Sequence, residues 1–351
     1  FNSLPKEQRS VLLATAFAPR LTPALAAQLS ENAQAGEVLF QLYRSHFFIE
    51  RSSLADGSLS YVFHPLLKAF LKDSASKLLS EVELKKQYSL IAAWLETQHE
   101  FEDALELWRL GGNYQAVVNI VASQAPVLLR QGQIVTFFRW LSLIPPEIAE
   151  AEPSIHYWKG MVLAMTSPPL ARMSLQTAYS GFIARNNSAE ALLAACAALE
   201  SYFFEWGNWK EAVYWIDLIA AQVNQLGEFP SIELEIRVIS AAFAFIFPCP
   251  NHPLLAGWAK RAEILIATLD DAEPRIALSI FLITYHFVCG EPRVARALAE
   301  EMANLAIQHS RSPIFGIALT IWCGTCLWRE GEYELAIDSL NKTLALANQT
   351  G

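Results

Sequence analysis

Three short phrases constrain the fold more than anything else in the chain: GNYQAVV at 112–118, GNWKEAV at 207–213 and GEYELAI at 331–337. In each, Gly ends one helix, a small polar residue caps the next, an aromatic fills the seam, and a small or β-branched residue five positions after the Gly lets the pair pack closely. Gly290 with Ala295 precedes Gly331 with Ala336 by 41 residues, and Gly207 with Ala212 precedes Gly290 by about two such units. Subtracting 41 from 207 reaches Thr166 with Ala171 at the same offset, and Cys249 with Leu254 stands near the expected place between 207 and 290. A period of about 41 residues marks a helix-pair repeat, whose units bury a core only by stacking.

Composition agrees with a stacked helical body. Hydrophobic residues make up 53% of the 351 positions and charged residues only 17%, as expected when many helices bury more than one face. The longest apolar stretches, 238–250 and 277–290, fall short of the roughly 20 residues that span a bilayer and are interrupted by Pro, His or Cys, so no membrane segment is expected. No signal peptide is visible at FNSLPKEQ, and five scattered cysteines form no disulfide framework; Cys196 and Cys289 are expected as buried thiols. A reducing cytoplasm is the simplest compartment.

The first eighty residues obey a different rule. LPKEQRSVLLATAF (4–17), TPALAAQLS (22–30) and AGEVLFQLYRSHFF (35–48) carry apolar residues at helical spacing, the second opening with a Thr-Pro cap. FFIERSSLADGSLSYVF then places two β-prone segments around Ala55-Asp56-Gly57-Ser58, a tight-turn signal. Three short helices and a hairpin describe a winged-helix module. HPLLKAFLKD (64–73) begins the next helix, with His64 as its cap or junction and Pro65 in its first turn. Leu66, Leu67, Phe70 and Leu71 are expected to pack the wing onto the helices after it.

Winged helices often bind DNA, but the third helix offers Glu37, Gln41, Tyr43 and Arg44, and the hairpin sets Arg51 against Glu50 and Asp56. Residues 1–80 hold eight Lys or Arg against six Asp or Glu, leaving 18 against 29 for the remainder. An acidic body without basic clustering is a poor partner for phosphate backbones, so no direct nucleic-acid contact is expected.

LPKEQRSVLLATAF, LFQLYRSHFFIE (39–50) and YVFHPLLKAFLKD (61–73) together resemble the winged-helix segment of the MalT-like, ATP-dependent LuxR-type transcriptional regulators of the STAND class. The G-x-[YW]-x-x-A seam resembles that of tetratricopeptide repeats, though 41 residues exceeds their usual 34, and the MalT-like sensor domain is a superhelix of such elongated hairpins. RWLSLIPPEI, IELEIR and HPLLAGWAKRAEILI (252–266) also resemble phrases of the family. The resemblance implies a winged helix at 1–80, a helical connector at 81–150 and a tetratricopeptide-like superhelical sensor domain at 151–351. It further implies an ATP-binding domain before this segment and a helix-turn-helix after it. Neither a GxxxxGK[ST] nor a basic helix-turn-helix occurs here, so the chain is expected to be an internal fragment or a reduced homologue, with no cofactor of its own.

Stacked hairpins create a groove suited to small ligands or peptides. Tyr202, Glu205 and Trp206 are spaced to line one helical face. Arg237 either joins them or pairs with Glu233 one turn earlier, while Trp209 and Tyr333, at the seam, are expected in the core. Cys323-Gly-Thr-Cys326 lies in a helical pattern rather than at a strand-to-helix junction, His286 with Cys289 is expected in the core, and no G-x-S-x-G or H-E-x-x-H is present. No metal site and no enzyme activity are expected. The expected function is effector sensing and interdomain coupling in a MalT-like regulator, with a small molecule or protein as effector. The alternative is a helical-repeat scaffold that binds a protein and has no transcription role.

Overall fold

The computed structural model describes residues 1, 4–53, 57–205, 209–246, 250, 252–309 and 313–350. Among these it contains nineteen helices and one two-stranded sheet. Two compact units divide the chain, Phe1–Ile155 and His156–Gly351.

The first unit opens as a winged helix and continues into further helices. Helices α1 (Lys6–Ala14), α2 (Pro23–Ser30) and α3 (Ala35–Arg44) bury Val11, Leu12, Leu25, Leu39 and Leu42 against one another. Thr22 caps α2, its hydroxyl accepting the Leu25 N–H at 3.1 Å, as the Thr-Pro signal predicts. The third helix is shorter than its apolar run: it ends at Arg44, and His46 and Phe48 take φ of 54° and 53°, turning the chain into the sheet. Strands β1 (Ile49–Ser53) and β2 (Leu59–Phe63) pair antiparallel with Ile49 opposite Phe63. Leu21 adds a bridge to Tyr61 that no periodicity announces, exchanging two backbone hydrogen bonds of 2.8 Å. Of the turn expected at 55–58, Ala55 and Asp56 lie outside the described residues, and Gly57 has φ 80°.

Helix α4 (Pro65–Leu78) departs from its expected packing. Leu71 and Ala75, one turn apart, are buried, and α4 packs on α1. Leu66 and Phe70 share the opposite register and are 73% and 46% exposed. The four-residue apolar spacing is correct, but it belongs to two faces of the helix. Beyond it run α5 (Glu81–Thr97), entered through a Ser80–Glu83 capping box, α6 (Phe101–Leu110), α7 (Tyr114–Arg130), α8 (Ile134–Leu141) and α9 (Pro146–Ala151). Arg139 on α8 forks onto Glu102 on α6, which also accepts the Trp140 indole N–H at 3.0 Å.

From Pro153 onward the helices run in hairpins: α10 (Pro153–Leu163) with α11 (Pro168–Ala184), α12 (Ser188–Glu205) with α13 (Trp209–Leu226), α14 (Ile232–Ala244) with α15 (Pro253–Thr268), α16 (Ala272–Val288) with α17 (Pro292–His309), and α18 (Pro313–Glu330) with α19 (Tyr333–Thr350). The leading helix of one hairpin packs on the leading helix of the next, α12 on α14, α14 on α16 and α16 on α18. This is the stacking that a 41-residue period requires. Two glycines mark the register. A Cβ on Gly160 of α10 would lie 2.5 Å from Leu175 Cγ, and one on Gly324 of α18 2.9 Å from Leu340 Cγ, the same pair about four repeats apart.

The seam itself is wider than its Gly signature. Gly112, Gly290 and Gly331 hold the left-handed position, and so do His99 and Asn186, at φ 59° and 56°. Five residues on, Ala104, Val117, Ala191, Ala295 and Ala336 are all buried. Gly207 and Cys249 lie outside the described residues, and near 254 the buried residue is Leu255 rather than Leu254. Tyr333 is 62% exposed at the start of α19 instead of packed in the core. Among the described residues no helix is long and apolar enough to cross a membrane.

Candidate functional site

The leading helices of three successive hairpins bring polar groups together. Arg237 on α14 forks onto both oxygens of Glu200 on α12, with Nη2 2.5 Å from Oε2. The two side chains retain 30% and 23% of their exposure, so the pair is shielded yet reachable from solvent. Burial works against the Arg237 charge, but the hydrogen bonds and charge of Glu200 outweigh it and hold its pKa above the ordinary guanidinium value. Tyr157 on α10 is half-buried and close enough to feel both charges; its pKa is raised by desolvation, which Arg237 partly opposes. The Cys196 thiol beneath is fully buried, and desolvation pushes it up to about 12. A thiol held there stays protonated at neutral pH and is a packing group rather than a nucleophile.

The pair differs from its expected form. Arg237 reaches across to the preceding hairpin instead of bonding Glu233 on its own helix. Nothing local announces Glu200, because the two residues are related by stacking, with 37 positions between their numbers. Laying the leading helices of successive repeats side by side is the signal that brings them together.

Tyr202 is separated from this pair by the turn of its helix. Two residues beyond Glu200, it lies on nearly the opposite side of α12, is 2% exposed, and its hydroxyl sits 3.1 Å from Glu211 Oε2 of α13. Arg172 of α11 stacks over its ring at 4.1 Å. Desolvation and the Glu211 hydrogen bond both raise the Tyr202 pKa. Trp206 and the side chain of Glu205 lie outside the described residues.

Ion pairs of the same kind join later helices. Arg261 of α15 forks onto Glu235 of α14 at 2.6 and 2.8 Å, and Arg296 of α17 meets Glu330 of α18 at 3.0 Å. His286 of α16 lies 2.7 Å from Glu291 and 3.8 Å from Glu263, so it bridges helices at the rim rather than resting in an apolar core. Cys289, expected as buried, is exposed where α16 ends. Cys323 and Cys326 are buried in α18, their thiols pushed up to about 11 and about 12 by desolvation. Among the described residues no group of three or more His, Cys, Asp or Glu side chains could hold a metal ion.

In the first unit, His64 caps α4: its Nδ1 accepts the Leu66 N–H at 3.3 Å, and its backbone N–H donates to Phe48 O at 2.9 Å. Pro65 takes the first helical position. An open depression of about 420 Å³ beside them is lined by Glu50, Val62, Lys68 and Lys72 among others. Burial and the neighbouring Lys72 lower the Lys68 pKa. Between wing and third helix, Arg51 lies 5.9 Å from the centres of the Phe40 and Tyr43 rings.

Residues 1–83 match the family model of the MalT winged helix domain. No curated protein matches the chain. The match and the helical body after it point to a MalT-like regulator.

Proposed function

We propose that this chain is the signal-receiving and coupling part of a MalT-like transcriptional regulator, and that its effector, a small molecule or a protein, is received on the leading helices of the hairpin array. The observation that carries the reading is the joining of a winged helix of the MalT type to five stacked hairpins whose leading helices present a shielded, hydrogen-bonded Arg237–Glu200 pair. In this reading the pair is the element that the effector biases. A ligand with its own carboxylate or amide can replace one partner, and the hairpins that carry the pair then change their relative preference. Nothing in this role demands bond-making chemistry, and we assign the chain no catalytic residue and no cofactor. ATP binding and DNA binding are assigned to other domains of such a regulator, and its compartment to the cytoplasm.

A thermal-shift screen of the chain against small polar metabolites tests the reading. A true effector raises the unfolding temperature in proportion to the logarithm of its concentration above Kd, and Glu200→Gln changes its affinity. Effectors that act identically on wild type, Glu200→Gln and Arg237→Lys would place the site elsewhere. A chain that responds to no metabolite but retains a specific protein would replace the small-molecule reading with a protein effector.

A further inference from the structure

A buried amide interrupts the apolar stripe that seats α5. Gln87, Ile91 and Leu95 follow one another at single-turn spacing, and all three are buried. Gln87 is only 7% exposed, and its Oε1 is shut off from solvent with no hydrogen-bond partner among the described residues. A buried acceptor left unpaired is costly, and most such groups in proteins find a donor. Gln87 also lines an open cleft of about 290 Å³ between α5 and the helices α1 and α2. Leu13, Leu29, Leu79 and Leu90 give that cleft an apolar body. Glu31, Glu83 and Lys86 stand in its lining as well, two carboxylates against one ammonium. Both carboxylates are engaged: Lys86 pairs with Glu31, and Glu83 accepts the Ser80 N–H and hydroxyl at 2.8 and 2.6 Å. The Gln87 oxygen has no such answer within the protein.

We propose that this cleft, where the winged helix meets α5, binds a small neutral or cationic molecule that joins one ring or short aliphatic chain to an N–H donor. The last torsion of a glutamine is broad, so a turn about it carries Oε1 toward the cleft at little cost, and the ligand N–H meets it there. The ring or chain replaces water against the four leucines. Ligand pockets run upward from about 300 Å³, and a cleft of about 290 Å³ takes a ring with a short polar arm. An anion is disfavoured, because carboxylates outnumber ammonium groups in the lining and an anion without N–H brings no donor to the buried oxygen. With α1 and α2 on one side and α5 on the other, the occupant ties the winged helix to the helix that follows it. This site is separate from the Arg237–Glu200 pair, and neither reading rests on the other.

The test titrates benzamide, benzylamine, benzoate and toluene, one ring with and without an N–H donor or a charge, into the full chain labelled at its leucine methyls. Benzamide and benzylamine are expected to give saturable NMR shifts at Leu13, Leu29, Leu79 and Leu90, with benzoate and toluene binding roughly tenfold or more weakly, the effect of one hydrogen bond. Gln87→Leu removes that preference and brings benzamide to the level of toluene, while Glu200→Gln leaves every titration unchanged. Shifts that never saturate overturn the proposal, as does equal binding of all four probes or a preference that survives Gln87→Leu. A titration altered by Glu200→Gln would also overturn it, by placing the binding on the hairpins. The comparison of benzamide with toluene on the wild-type chain decides the matter even where the variant fails to fold, and unaltered circular dichroism shows whether it does.

Discussion

At the scale of single residues, the Arg237–Glu200 pair decides between two roles for an arginine in an apolar helix. A pair kept for stability alone resists replacement of either partner but tolerates replacement of both by well-packed apolar residues. Arg237→Ala strands the partly shielded Glu200 carboxylate and is expected to cost about 2–4 kcal/mol in urea unfolding. The double variant Glu200→Leu/Arg237→Met is expected to recover most of that loss while abolishing the effector response. A double variant as unstable as the single one would mean that the pair is not the coupled unit described. The sequence points to Arg237 but not to its partner. Spacing along one helix suggests Glu233, whereas the actual bond crosses between stacked units, where local periodicity carries no information. Tyr202 shows the converse: its spacing along the helix suggests a groove-lining face, but the ring turns inward to Arg172 and Glu211.

At the scale of elements, the helical hairpins are legible because their seams are chemically explicit: a left-handed residue, a cap, and a small buried residue five positions later. His99 and Asn186 carry no Gly signal, although the left-handed conformation, which Asn and His tolerate better than most residues, explains why they serve. Face assignment is harder than helix assignment. On α4, apolar residues at positions 66, 67, 70 and 71 divide between a buried and an exposed side, a choice made by tertiary packing and not by period. The two close-approach glycines give the repeat register a direct test. Gly160→Ala places its methyl against Leu175, which is fully buried and has nowhere to go, and is expected to cost about 1–3 kcal/mol. Gly324→Ala meets the equivalent Leu340, which is partly exposed and can swing away, so the gain in helix propensity offsets most of the clash. Equal losses in chemical denaturation would show that the two positions are not mechanically distinct.

At the scale of the whole molecule, the distribution of charge bears on whether this winged helix meets DNA. Its first 80 residues carry eight basic and six acidic side chains, and the remaining chain carries 18 and 29. Non-specific DNA affinity arises chiefly from counterions released by clustered Lys and Arg, and an acidic body opposes the approach of a phosphate backbone. The third helix has no such cluster, and Arg51 on the wing lies over the Phe40 and Tyr43 rings. The prediction is therefore that the chain fails to shift a random DNA duplex at micromolar concentration in about 150 mM salt, the range where non-specific binders still retain measurable affinity. Lowering the salt should change little, because a weak interaction without multiple phosphate contacts has a shallow salt slope. A steep gain in binding at low salt, lost on Arg44→Ala or Arg51→Ala, would instead assign the winged helix to DNA. It would also separate the function of this domain from the sensing assigned to the hairpins, since a sensor mutation such as Glu200→Gln would leave that binding unchanged.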